Sequence, residues 1–263
     1  SIAQLFIAGV LPGILLAGLF MGYTMVWALL NPGKIPPAGP SMTFVQKLNA
    51  SRNLLPVVAL IGAVLGSVYS GLATATESAA LGVVGALVLA AMQGSMSWKQ
   101  FRESLLGASR LYCMIALILA GAAFLTLSMG YIGLPRHLAE WIGSLGMSQL
   151  QLIVALMAFF IVLGCFLDGI SIVVLTMGVL LPTIEKAGID PIWFGIFVVL
   201  VVEMAQVTPP VGFNLFVLQG MTGKEITYLA KHALPMFLLM VAAVLLIYFV
   251  PGIVTWLPAQ MVG

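Results

Sequence analysis

Apolar stretches of about twenty residues recur from one end of this sequence to the other, each long enough as a helix to cross a hydrocarbon core of about 30 Å. That repetition constrains the chain more than any single motif does. Of its 263 residues 62% are hydrophobic and only 7% are charged, and the mean hydropathy is +1.18. Water-soluble domains do not have that composition. The sequence therefore predicts an all-α, polytopic membrane protein with the lipid bilayer as its main partner. Ser1 is not followed by the basic start and small-residue cleavage site of a secretory signal, so the expectation is that the true amino terminus lies upstream. Cys113 and Cys165 sit in apolar helical stretches and read as small hydrophobes rather than a disulfide framework. The formal net charge is +2, and no basic stripe interleaved with aromatics points to a nucleic acid.

Region 1–53 holds a first span from about Leu5 to Leu30, closed by a stretch containing Asn31, Pro32, Gly33, Pro36, Pro37, Gly39 and Pro40. After it Met42, Phe44, Val45 and Leu48 alternate with Gln46, Lys47 and Asn49, a pattern suited to a lateral arm helix along the membrane surface. Region 54–93 is too long for one ordinary span and is interrupted from Ser70 to Glu77. It predicts two half-helices that form a re-entrant hairpin, with two complete spans as the alternative. Within 94–190, Lys99, Arg102 and Arg110 precede a span from about Leu111 to Gly130. The long apolar stretch from Leu150 to Pro182 then passes through Asp168-Gly169, either a break or a polar site tolerated in a tilted helix. Region 191–222 reads as a transmembrane helix broken at Thr208-Pro209-Pro210, and 223–263 as a terminal surface helix and a last span from near Leu234 to around Trp256. Trp98, Trp141, Trp193 and Trp256 fall near these boundaries and read as interface anchors, with His137 and His232 interfacial as well. Lys34, Lys47 and Arg52, together with Lys99, Arg102 and Arg110, mark the cytoplasmic face by the positive-inside rule.

Backbone groups in lipid must be satisfied inside the protein, so broken helices persist only where protein buries them or where they line a polar cavity. Paired interruptions are also the sequence pointer to a transporter's binding site. The segment Thr74-Ala75-Thr76-Glu77 fits a capping box. It is either a plain helix start or, because a carboxylate near mid-bilayer is costly, an amide-rich end that favours an anion. At the second interruption Pro209 and Pro210 lack N–H groups, which would leave the carbonyls of Ala205 and Gln206 without helical partners. Those oxygens and the Thr208 hydroxyl are hard ligands of the kind Na⁺ prefers, and the half-helix starting near Gly212 and Asn214 could face a carboxylate. An ordinary proline kink repaired by neighbouring helices is the other reading. Asp168 and Glu203 are the remaining ionisable residues in apolar segments, suited to proton relay, ion pairing, cation binding or a hydrogen-bonded structural role. A channel should show a ring-forming polar filter or a continuous polar helix face, and neither is present. No H-E-x-x-H or G-x-S-G motif suggests an enzyme, and the paired histidines of a haem carrier are missing from the spans. A structural membrane subunit is a further alternative.

The run Gly71-Leu72-Ala73-Thr74-Ala75-Thr76-Glu77-Ser78-Ala79-Ala80 resembles the G-x-x-T-P-T-E-A-A-A motif of the large membrane subunit of TRAP transporters, with Ala75 in place of the usual proline. Leu167-Asp168-Gly169, Gly188-Ile189-Asp190-Pro191 and the run from Thr208 to Val217 are similar to later family motifs in the same order. The resemblance implies a Na⁺-driven uptake system of the bacterial inner membrane with an elevator-type core. It also implies a small membrane subunit and a periplasmic protein that delivers an organic acid, and no organic cofactor. Family members carry two inverted repeats, each with a hairpin and a broken helix. This chain resembles the second repeat and its preceding span, half of an inverted-repeat elevator-type transporter. The first-repeat half is then a partner, on another chain or elsewhere in the same polypeptide. By resemblance Gly71, Thr74 and Thr76 at the tip, with Ala205, Gln206, Thr208 and Gly212 at the break, are the sodium ligands, while Glu77, Pro210 and Asn214 face the substrate. Ala75 leaves the tip geometry open. The run from Leu215 to Met221 is similar to sialic acid members, which places sialic acid ahead of C4-dicarboxylates and other sugar or keto acids.

Overall fold

A computed structural model describes the chain except for residues 36–42, 44–45, 47–50, 52–53, 134–136, 138–139, 143, 210–211 and 261–263, and the side chains of Thr126 and Phe213. Among the described residues the regular structure is entirely helical. Five helical stretches there are long and apolar enough to cross a membrane: Ile2–Leu30, Ala75–Met92, Trp98–Ile132, Gly169–Lys186 and Ile226–Phe249. The first consists of α1 (Ile2–Ala8) and α2 (Val10–Leu30), separated at Gly9. The chain divides into two compact units, residues 1–3 with 24–111 and residues 4–23 with 112–263.

In the first unit α3 (Leu55–Tyr69) and α4 (Ala75–Met92) form the hairpin expected from the interruption at the tip. Their 15 and 18 residues reach about 22 and 27 Å, since an α-helix rises about 1.5 Å per residue. One small-residue stripe of α4 lets the arms close on each other. A Cβ on Gly85 would stand 2.3 Å from Leu60 Cδ1 and one on Gly82 would stand 3.2 Å from Val64 Cγ2. The Ser67 and Ser78 hydroxyls lie 2.7 Å apart. Ser67 gives its own proton to the Val64 carbonyl, so Ser78 is the donor between the two. Pairs 60 with 85, 64 with 82 and 67 with 78 make the arms antiparallel, and small residues on one side are what close helix approach in lipid requires.

Most of the lateral arm helix expected from Met42 to Asn49 lies outside the described residues, as do Lys47 and Arg52. Thr43 and Gln46 are described and make a reciprocal capping pair, Thr43 N–H to Gln46 Oε1 at 2.9 Å and Gln46 N–H to Thr43 Oγ1 at 3.4 Å. A similar pair, Ser97 and Gln100, starts α5 (Trp98–Ile132). At 35 residues, or about 52 Å by the same rise, α5 far exceeds the span expected from Leu111 to Gly130. No proline interrupts it, so the segment carrying Lys99, Arg102 and Arg110 belongs to the same helix.

The second unit is built around α8 (Pro191–Gln206), packed by α6 (Gln149–Gly164), α7 (Gly169–Lys186), α10 (Ile226–Phe249) and α11 (Gly252–Ala259). Asp190 accepts the Trp193 N–H at 2.8 Å and Pro191 takes the first turn, where a missing N–H costs nothing. Leu5 lies against Gly195 and Ile196 lies against Gly9, so the chain near α1 covers one side of α8. Only a narrow line through Val199 and Glu203 remains exposed beyond its first residue.

Trp193 is a core residue, not the interface anchor its position near a span boundary suggested. It is 5% exposed, stacks on Phe197 at 5.7 Å and 11°, and donates its indole N–H to the Ile247 carbonyl at 2.9 Å. That carbonyl needs an outside donor because the residue four positions on, Pro251, has no N–H to return. Trp98, Trp141 and Trp256 are exposed. The same proline explains a second difference. The stretch expected to hold a surface helix and a separate last span is one helix, α10, from Ile226 to Phe249; the chain breaks at Val250-Pro251 and restarts as α11. Trp193→Phe keeps the ring and removes the donor. The expected result is a loss of about 1–3 kcal/mol, the usual cost of an unsatisfied buried carbonyl, read as a lower unfolding midpoint in detergent.

Candidate functional site

The hairpin tip is a closed turn followed by a capped start. Gly71, at φ +71°, lets α3 end in a left-handed residue, with its N–H on the Val68 carbonyl at 3.2 Å and Ala73 N–H on the Ser67 carbonyl at 3.1 Å. Thr74 then caps α4. Glu77 Oε2 accepts both the Thr74 N–H and the Thr74 hydroxyl at 2.8 Å, and Thr74 Oγ1 accepts the Glu77 N–H at 3.3 Å. This is the capping box in full, and one Glu77 oxygen is committed to it. Ala75 occupies the first helical position, whose N–H has no intrahelical acceptor, so alanine and proline fit there alike. Thr74, Thr76 and Glu77 are all exposed.

In the second unit the alternative left open at Asp168 resolves as a break. Helix α6 stops at Gly164, and Asp168 caps α7 by accepting Ile170 N–H at 3.1 Å and Ser171 N–H at 3.2 Å through Oδ2 and the Ser171 hydroxyl through Oδ1. Its carboxylate takes the place of missing helical acceptors, which is why it sits within an apolar stretch.

The α8–α9 break follows, with α9 at Phe213–Thr222. Thr208 N–H bonds to the Ala205 carbonyl at 3.1 Å and the Thr208 hydroxyl bonds to the Met204 carbonyl at 2.7 Å. The Ala205 carbonyl is thus not stripped of its donor, as the two prolines alone implied; a shorter-range bond from Thr208 replaces the helical one. It keeps a second lone pair, and the Thr208 oxygen, having donated its proton backwards, keeps both of its own. Gly212 has φ +28° and is buried. A Cβ there would stand 2.9 Å from the Thr208 carbonyl oxygen and 3.0 Å from Leu215 Cδ1, so the turn requires glycine. Its carbonyl accepts Leu215 N–H at 2.8 Å and opens α9.

Ala205, Gln206 and Thr208 therefore lie together at the end of α8, Gly212 packs against the Thr208 carbonyl, and Asn214 is exposed just beyond it. Pro210 lies outside the described residues. Gln206 is 8% exposed and its Nε2 has no hydrogen-bond partner among the described residues. Glu203 lies on the exposed line of α8. Gly71, Thr74, Thr76 and Glu77 belong to the other unit. Two residues that spacing gave no reason to connect with the break also touch it: Gly164, where a Cβ would meet Ala205 Cβ at 2.1 Å, and Cys165, whose thiol lies 3.3 Å from the Pro209 carbonyl oxygen.

A chain whose described residues are helical apart from turns and loops, with several membrane-length helices, a closed hairpin and an apolar helix that breaks and restarts, is a polytopic membrane protein by class. The family of the tripartite ATP-independent periplasmic transporter, DctM component, matches residues 1–253, and the chain belongs to it. Members are permeases rather than enzymes. The C4-dicarboxylate TRAP transporter large permease protein DctM of Rhodobacter capsulatus is 32% identical over 98% of this chain and 58% of its own length. Its counterpart in Pseudomonas aeruginosa is 30% identical over 98% and 60%. The isethionate TRAP transporter permease protein DctMQ of Oleidesulfovibrio alaskensis is 29% identical over 96% and 40%. The chain thus spans about three-fifths of the length of the first two relatives.

Two outcomes follow from this geometry. Glu77→Gln can still close the capping box, so hydrogen exchange across Thr76–Ala79 should stay slow, whereas Glu77→Ala should speed it; equal exchange in both variants would remove the box as the element holding the tip. Gly212→Ala should lower stability by about 1–3 kcal/mol, since it combines a positive φ with a clash against backbone, as measured by thermal unfolding of the purified protein.

Proposed function

We propose that this chain is part of the large membrane subunit of a secondary transporter that takes up an organic acid anion together with Na⁺ across the bacterial inner membrane. A small membrane subunit, a first-repeat half of the large subunit and a periplasmic binding protein complete the system. The observation that carries the reading is the α8–α9 break, where a buried apolar helix ends beside the Ala205 carbonyl and the Thr208 hydroxyl in a chain of this family.

In this reading Na⁺ is held at the break by neutral oxygens, the Thr208 hydroxyl and carbonyls of Ala205, Gln206 and Gly212. Neutral ligands keep the local potential positive once the ion is bound, which favours a carboxylate nearby. Asn214 and Pro210, at the start of the following half-helix, are the residues assigned to that carboxylate. At the tip, oxygens of Gly71, Thr74 and Thr76 are assigned to coupling ions. Glu77 keeps the tip closed, because a carboxylate committed to a cap repels an anion more than it recruits one. The hairpin is taken as re-entrant, since an arm of 15 residues falls short of a core of about 30 Å. An elevator-type movement of the core carries solute and ion together.

Sialic acid is the first candidate solute from the Leu215–Met221 run. C4-dicarboxylates and isethionate, named for the relatives, are the next, and all share an anionic head group. The test is uptake of each labelled acid into proteoliposomes holding the complete complex, with and without its binding protein and with and without a Na⁺ gradient. Uptake that needs both is expected; passive flux without a gradient would instead identify a channel. In the same assay Thr208→Val removes one oxygen at similar volume and is expected to raise the Na⁺ concentration for half-maximal uptake about tenfold, the equivalent of one well-placed polar contact. An unchanged Na⁺ dependence would exclude Thr208 as a ligand.

A further inference from the structure

The α6–α7 corner meets the last turns of α8 and the break after it at three points, all within the second unit. Cβ atoms on Gly164 and Gly169 would stand 2.1 Å from Ala205 Cβ and 2.9 Å from Val202 Cγ1, distances that only glycine permits. The third contact is polar and joins residues 44 apart in sequence: Cys165 Sγ lies 3.3 Å from the Pro209 carbonyl oxygen. Cys165 is 8% exposed, and its thiol has two acceptors at 3.3 Å but one proton to give. The other acceptor, the Ile161 carbonyl, already takes the Cys165 backbone N–H at 3.2 Å. Pro209 sits where the α8 ladder has stopped, and among the described residues Cys165 is the donor its carbonyl finds. The thiol proton is therefore better used at Pro209.

We propose that Cys165 is a positioning residue for the break: its thiol holds the Pro209 carbonyl, and with it Thr208 and the Gly212 packed against it, in the geometry that the coupling ion uses. It does not touch the ion. The two glycine contacts bring the corner to the end of α8, and the thiol fixes the Pro209 carbonyl just beyond it. A weak donor suits that task, because an S–H bond restrains the carbonyl while leaving its second lone pair open.

The ion clause rests on the function proposed above, so the test has one arm that needs Na⁺ coupling and one that does not. The complete complex is prepared with wild-type protein, Cys165→Ala and Cys165→Ser. In Na⁺-free buffer, hydrogen exchange of the amides from Leu215 to Leu218 should be about threefold faster in the alanine variant, as the loss of one weak hydrogen bond implies, and serine should restore most of the protection. In uptake, the alanine variant should raise the Na⁺ concentration for half-maximal rate by about the same factor, with the maximal rate at saturating Na⁺ retained, and serine should again rescue it. Unchanged exchange in Cys165→Ala overturns the proposal, and so does equal acceleration in both variants, which would make the residue a space-filler only. Uptake by the wild type that ignores Na⁺ would defeat the function reading alone, leaving the exchange arm to decide the role of the thiol.

Discussion

Hydrocarbon offers no hydrogen bonds, so wherever a helix of this chain stops, some other group of the protein must satisfy the backbone it leaves behind. Several polar side chains in the apolar stretches perform that task. Glu77 and Thr74 satisfy the start of α4, Asp168 the start of α7 and Asp190 the start of α8. Thr208 returns a bond to Met204, Trp193 supplies the one that Pro251 denies to Ile247, and Cys165 reaches Pro209. A chain with 7% charged residues can still hold several interruptions because each is closed by one or two side chains placed at its edge.

The two interruptions are held by different kinds of contact. At the tip the bonds are local: Gly71 turns, Thr74 and Glu77 cap, and the Ser67–Ser78 pair joins the arms just behind them. The break has Phe194, Phe197 and Val201 buried on the helix leading into it, and it is braced from across the sequence by Gly164 and Cys165. Losing one bond at the tip frays a helix start. The break involves a neighbouring element as well, so displacement there is transmitted to the α6–α7 corner.

Local signals were legible in the sequence and distant ones were not. The hairpin, its capping box and the break at Thr208-Pro209 follow from residues adjacent in the chain, where the chemistry of proline, glycine and threonine leaves few options. Asp168-Gly169 stayed ambiguous because an aspartate within an apolar stretch reads equally as a cap or as a solvated site; only its bonds to Ile170 and Ser171 separate the two. Two further capping boxes, Ser97 with Gln100 and Ser148 with Gln151, were written in the same S-x-x-Q form and mark the true starts of α5 and α6. Trp193 misled because a tryptophan at the start of a span looks the same whether that end faces lipid headgroups or other helices; the clue was Pro251, which creates a carbonyl in need of a donor. Cys165 and Pro209 meet across 44 residues, beyond the reach of any periodicity.

The break also differs from the tip in what its backbone costs. Gly71 at φ +71° is an ordinary left-handed turn with open space around it, a conformation glycine adopts freely. Gly212 at φ +28° and ψ 83° lies away from that well, is buried, and brings the Thr208 carbonyl to within 2.9 Å of where a side chain would begin. Backbone held off its preferred wells persists only where surrounding structure over-determines it, and such positions concentrate at binding and switching sites. A turn that needed only to reverse or kink the helix could have used the cheaper geometry found at Gly71. The close approach of the Thr208 carbonyl oxygen to a buried Gly212 is the feature a plain kink does not require.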